Sequence, residues 1–275
     1  MTDEGGPRPP TGSERTAQQD FRVRFEEAGP SGTIRASVLL RYAAELAWVH
    51  SERRGFARAW YRQRDLAWLV RGVDLRLLRP IDDGSGIEGT TIVGAARKVI
   101  ARRRTEFRSA EGELAAVLDV DWAMTTTLGV PTRIPDAFGL AFDLAPGSTL
   151  KPIRVRPTPP TGSSTGAEDP HPGMAVRRHE LDPMGHVNNA VYLDWAEEAV
   201  AVAGGPVDGL PRRWRLEFQG AAGPASRIRT RAWPTDDGWS CLIDDATTGE
   251  RFVGATLATG GSDAGDDPDG PPDRP

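Results

Sequence analysis

Residues 179–198 read HELDPMGHVNNAVYLDWAEE, and the parsing of this stretch decides the fold. A strand-like entry reaches Asp182. Pro183 and Gly185 then form a tight turn. Beyond it Val187, Val191, Leu193 and Trp195 lie among polar residues, the pattern of an amphipathic helix. Asp182 therefore stands at the mouth of a helix. The first N–H groups of a helix have no partner within it, and the helix dipole favours negative charge there. Position alone leaves two roles open for Asp182. It caps the helix, or it serves as base or nucleophile while the N–H groups hold a developing oxyanion.

The rest of the chain bears on that choice, because the stretch occurs twice. DPMGHVNNAVYLDWAEEA, from Asp182, aligns with GPSGTIRASVLLRYAAEL, from Gly29, at a constant offset of 153 residues. Pro183 meets Pro30, Gly185 meets Gly32, Leu193 meets Leu40 and Glu198 meets Glu45. Gly249-Glu250 later meets Gly112-Glu113. Around each copy the elements run in the same order. In the first, Phe21, Val23 and Phe25 alternate as a strand, and a helix spans about 34–53. Strands are predicted over 68–78, 89–99, 103–109 and 114–126. In the second, Val176 and Arg178 start a strand, the helix runs to about Ala203, and strands follow over 213–219, 226–233, 239–244 and 251–259. The chain reads as a tandem duplication of a strand–turn–helix–meander unit, α+β in class.

The two copies differ at the turn. Where the second has Asp182, His186, Asn188 and Asn189, the first has Gly29, Thr33, Arg35 and Ala36. A framework role gives no reason for that difference, which favours a chemical role for Asp182.

Boundaries follow from composition. Residues 1–18 are a polar Pro/Gly tail expected to be disordered, 19–144 the first unit, 145–170 an extended Pro/Ser/Thr/Gly linker, 171–259 the second unit, and 260–275 an acidic disordered tail. The net charge of −5 belongs to the tails: Asp263, Asp266, Asp267, Asp269 and Asp273 face only Arg274, and the body is near neutral. With no aromatic residues interleaved among its arginines, the chain is not expected to bind nucleic acid. Its apolar runs are too short to span a bilayer, and no apolar signal region opens it, so a cytoplasmic protein without membrane partners is expected. The one cysteine, Cys241, excludes an internal disulfide. His50, His171, His179 and His186 lack metal-ligand spacing, so no metal is expected.

Asp-Pro-x-Gly-His-Val-Asn-Asn-Ala-x-Tyr-Leu at a helix start, followed by an antiparallel meander, resembles the hotdog thioesterases. The second copy is similar to the 4-hydroxybenzoyl-CoA and acyl-CoA members. The two-copy layout, with residues 21–55, 68–80 and the stretch WAMTTTLGVPTRIP from Trp122 to Pro135, resembles the acyl-ACP thioesterase family. The resemblance implies a double hotdog, a pseudodimer within one chain with further homodimerisation open. It implies a thioester hydrolase of fatty acid metabolism, with an acyl carrier protein or CoA thioester as substrate and no cofactor. It implies Asp182 as base or nucleophile, the Asn189 N–H as oxyanion donor and His186 as the orienting group. Met184, Asn188 and Trp195 are the substrate-contacting candidates. A single working site is expected, since Gly29 cannot replace Asp182.

The match has gaps. Met184 stands where plant-type members have Asn, and Ala221 and Ala222 stand where they have an acidic residue. A non-hydrolytic acyl or carrier-protein binding module is therefore the alternative, alongside an acyl-CoA thioesterase. Glu217 is the nearest fallback carboxylate, expected to face outward. Glu197 and Glu198 are expected to be structural. The clusters Arg97–Lys98 with 102–104, and Arg177–Arg178 with Arg212–Arg213, fit either solvated strand edges or a face for an acidic carrier.

Overall fold

The computed structural model describes residues 15–144, 149–157 and 173–260. Among the described residues ten strands form one antiparallel sheet: β1 (Thr16–Arg22), β2 (Leu66–Leu77), β3 (Gly86–Arg97), β4 (Ile100–Ser109), β5 (Leu114–Thr126), β6 (Met174–Ala175), β7 (Arg212–Phe218), β8 (Arg227–Thr235), β9 (Gly238–Asp245) and β10 (Arg251–Thr259). Their order is β1-β3-β4-β5-β2-β7-β10-β9-β8-β6. The order is a palindrome of the two copies: β2 and β7 meet at the centre, and equivalent strands lie equally far on either side. Leu75 pairs with Trp214 across that seam, both fully buried.

The long helices α1 (Ala36–Arg53) and α4 (Asn189–Val202) lie against each other and the sheet. On α1, Leu39, Ala43, Leu46 and His50 recur at helical spacing and are buried. Both helices are followed by a glycine with positive φ, Gly55 and Gly204. Leu39, Leu46, Tyr192, Leu193 and Trp214 are fully buried. Burial of each such side chain contributes roughly 2 kcal/mol. One core joins both copies, so neither has a complete apolar interior of its own.

The duplication extends to individual hydrogen bonds. Gly29 N–H donates to the Thr33 carbonyl as Asp182 N–H does to that of His186. Gly32 N–H donates to Gly29 as Gly185 does to Asp182, and Arg35 N–H to Glu27 as Asn188 does to Glu180. Gly32 and Gly185 both have positive φ. Arg41 Nη2 meets Asp194 Oδ2 at 3.0 Å, and these residues are 153 apart. Matching positions can touch only near a two-fold axis, so this pair marks the pseudo-two-fold between the helices.

Expectations on the N-terminal tail, the Val176 strand and the linker need correction. β1 begins at Thr16, inside the stretch expected to be a tail, because Ala17 is buried and pairs with Thr91 on β3. The remainder of both tails lies outside the described residues. The strand expected at Val176 and Arg178 is confined to Met174–Ala175, and a 3-10 turn follows at Arg178–Glu180. The connection around Trp60 and the segment after Pro135 hold short helices, α2 (Arg58–Arg62) and α3 (Asp136–Ala141). Phe56, Tyr61, Phe138 and Phe142 gather there in a satellite cluster beyond the end of α1.

The described part of the expected linker, 149–157, is a strap packed on the outer face of the sheet. Leu150, Ile153 and Val155 are buried. Ile153 N–H donates to Asp121 Oδ2 at 2.6 Å and Val155 N–H to Glu217 Oε2 at 2.9 Å. A Cβ on Gly72 would lie 2.7 Å from that of Ile153, so glycine lets the strap approach. The rest of the linker lies outside the described residues. No helix among the described residues is long and apolar enough to cross a membrane.

Candidate active site

The Asp182 turn is closed by a bridge between Leu181 and Val187, which brings it back to the start of α4. Asp182 is half-buried, and Met184, Gly185 and His186 are exposed. Its Oδ1 accepts the N–H groups of Met184 at 2.8 Å and His186 at 3.2 Å. These bonds fix the carboxyl over the turn. Oδ2 has no hydrogen-bond partner among the described residues.

Helix capping falls to a neighbour. Asn188 is the N-cap of α4, and its Oδ1 accepts the Ala190 N–H at 3.0 Å. The Asn189 N–H has no acceptor among the described residues, so the expected oxyanion donor is unengaged. The Asn188 side chain, a substrate-contacting candidate from sequence, is engaged as the cap. Met184 is 49% exposed beside Asp182. Trp195 is buried with its ring edge-on to Tyr192 at 5.2 Å.

Tyr192, which the sequence reads as facing the core sheet, is buried beside the turn. Its hydroxyl accepts the Ala222 N–H at 2.8 Å, while the Ala222 carbonyl accepts the Val187 N–H at 2.9 Å. The turn, α4 and the β7–β8 loop are thereby tied together. Burial first, and then the nearby negative charge of Asp182, push the Tyr192 hydroxyl up to about 12, so it stays protonated. Leu39 stands at the matching position of the first copy.

The other candidates have structural employment. Glu217 faces the outer side of the sheet as expected, but is only 7% exposed because it holds the strap there through Val155 and Arg154. Arg102 makes a bidentate pair with Asp121 at 2.7 and 3.0 Å, and Arg213 one with Asp74 at 2.8 and 2.7 Å. Arg104 lies 3.4 Å from Asp119. Arg103 is buried against His50 Nδ1 at 2.9 Å. These arginines are committed within the fold, and only Arg97, Lys98, Arg177 and Arg178 of the two clusters remain exposed. Among the described residues no three His, Cys, Asp or Glu side chains are grouped to hold a metal.

Residues 14–133 match the acyl-ACP thioesterase N-terminal domain and residues 164–204 the C-terminal domain of the same family, together more than half of the chain. The chain belongs to the acyl-ACP thioesterase family. A dodecanoyl-[acyl-carrier-protein] hydrolase, chloroplastic, from Cinnamomum camphora is 24% identical over 197 residues, covering 66% of this chain and 50% of that protein. The chain thus spans about half the length of the curated relative it matches. Two solved structures share the fold. An acyl-ACP thioesterase from Bacteroides thetaiotaomicron superposes with a TM-score of 0.73 at 14% identity, over 90% of this chain and 99% of that one. A 12:0-ACP thioesterase from Umbellularia californica gives 0.72 at 21% identity, over 89% and 96%. The expected double hotdog is the fold of this acyl-ACP thioesterase family member.

Proposed function

We propose that the protein hydrolyses the thioester of a fatty acyl chain carried on acyl carrier protein, releasing the fatty acid. The observation that carries the reading is the Asp182 carboxyl, pinned by two backbone N–H groups through one oxygen and open at the other, at the turn where the first copy has only Gly29. Asp182 acts as base toward water or as nucleophile toward the thioester carbonyl. The carbonyl oxygen gains negative charge as the tetrahedral intermediate forms, and the Asn189 N–H at the positive end of α4 receives it. His186 orients the thioester or the water from the exposed side of the turn, and Met184 borders the entry. No cofactor enters this chemistry.

Ala221 and Ala222, in place of a second carboxyl, favour the competing reading of an acyl-carrier binding module. Thiol release from medium- and long-chain acyl-ACP and acyl-CoA separates the readings. The proposal expects steady turnover with acyl-ACP preferred. Preference for acyl-CoA would move the substrate to that carrier. Binding of both carriers without turnover would establish the module and overturn hydrolysis.

A further inference from the structure

The pseudo-two-fold gives the surroundings of the Asp182 turn. On the first copy's side a crevice of about 480 Å³ runs from the turn at Gly29 and Thr33, along Glu197 and Ala201 of α4, to Val207 and Asp208 in the connection that follows α4. At the offset that joins Arg41 to Asp194, Glu197 corresponds to Ala44 and Ala201 to Trp48. The Asp182 turn therefore faces Ala44 and Trp48 of α1, and the connection that follows α1.

That connection is where the two copies differ as elements. Residues 203–211, after α4, hold no helix, whereas 54–65, after α1, hold α2. Residues 53–64 read RRGFARAWYRQR, five arginines and no acid in a body that is near neutral. Phe56 and Tyr61 are buried and root α2 in the satellite cluster. Arg58, Arg62 and Arg64 are exposed. The Arg58 guanidinium lies 5.1 Å above the ring of half-buried Trp48, which sets α2 at the rim of the Asp182 cleft. Arg64 lies 4.4 Å above the Trp60 ring.

Apolar side chains gather at the same end. Seven large apolar side chains are exposed among the described residues, and three of them belong to the segments beside α2: Leu128 at 87%, Val130 at 58% and Leu140 at 71%. The loop of Leu128 is tied to the end of α2 by the hydrogen bond of Thr127 to Asp65. The short helix α3, which carries Leu140, packs its Phe138 against Phe56 at 5.2 Å. Exposed apolar side chains rimmed by charge mark an interaction surface.

We propose that α2 and the loop of Leu128 form the docking surface for the acidic carrier protein, which seats on the arginines and presents its thioester past Trp48 to Asp182. That the carrier brings the substrate rests on the function proposed above. The arginine run fits an acidic partner, and its place at the rim of the cleft selects the partner that bears the thioester. The single platform and the single Asp182 turn go together, since the connection after α4 offers no matching arginines beside the first copy's turn.

The test reads binding alone. Wild type is titrated with an ACP that carries an alkyl thioether in place of the thioester, beside Arg58→Glu/Arg62→Glu. The control is Arg79→Glu/Arg108→Glu, the same charge change in a separate groove at the opposite end of β2. Affinity should fall by about tenfold or more in the α2 variant and its salt dependence should become shallower, with a clearly smaller change in the control. Equal affinity in the α2 variant, an equal loss in the control, or a wild type that ignores the carrier while its α2 arginines hold anionic lipid vesicles would each overturn the proposal. Carrier binding that passes this test without any thiol release from acyl-ACP would sink the hydrolysis reading and leave the docking surface standing.

Discussion

Asp182 and Asn188 divide between them two tasks that a single residue often performs at a helix start. Asn188 satisfies the Ala190 N–H, and Asp182 is left with an open oxygen. Replacing Asn188 by Ala should cost about 1 kcal/mol in urea denaturation, the usual value of an N-cap. Glu197 gives a pH dependence whose sign is fixed. Its carboxyl titrates at 4.5 when unfolded and at about 7 in the fold. Between those values the native state holds a proton that the unfolded state has released, so stability falls as pH rises through this window. Asp119, pushed up to about 6 by burial, acts in the same sense. Denaturation of Glu197→Gln across the window should show a shallower fall than wild type, and an equal slope would contradict the burial of this group. The divergence at Asp182, His186 and Asn189 from the first copy was legible in the sequence. The capping bond of Asn188 was not, because Asp and Asn are equally good caps and their order along the turn decides which one serves.

Among elements, the strap is the least expected. A stretch rich in Pro, Ser, Thr and Gly reads as a spacer, yet Leu150, Ile153 and Val155 are buried and carry 149–157 over the centre of the sheet. Three apolar residues within a polar segment are a weak periodic signal. The partners that confirm it, Asp121 and Glu217, lie on other strands. Glu217→Ala leaves the Val155 N–H without its acceptor and Arg154 without its carboxylate. A loss of about 1–3 kcal/mol is expected, read as a lower thermal midpoint. An unchanged midpoint would mean that the strap contributes nothing to stability. The helices and the eight long strands after β1 were visible because their apolar periods run for many residues. The two short helices α2 and α3 were not, since a single turn carries too little period to register.

At the scale of the molecule, the palindromic strand order makes the two copies halves of one body. The seam between β2 and β7 and the shared helical core leave each half incomplete. Residues 15–144 produced alone would expose the β2 edge and the apolar surface that α4 covers. They should elute from a sizing column as a dimer or larger species, and a stable monomer would contradict the single-core description. The repeat was readable at an offset of 153 residues, and the pseudo-two-fold then follows from Arg41 meeting Asp194. In the proposed function, the half that does the chemistry is the one whose turn residues broke the repeat. That claim is tested most directly by thiol release from acyl-ACP, with wild type beside Asp182→Asn. The substitution keeps an oxygen for the Met184 and His186 N–H groups, so the turn stays folded. A fall of about a hundredfold or more, the size of a lost catalytic group, is the expected result, and an Asp182→Asn protein as fast as wild type would contradict the account.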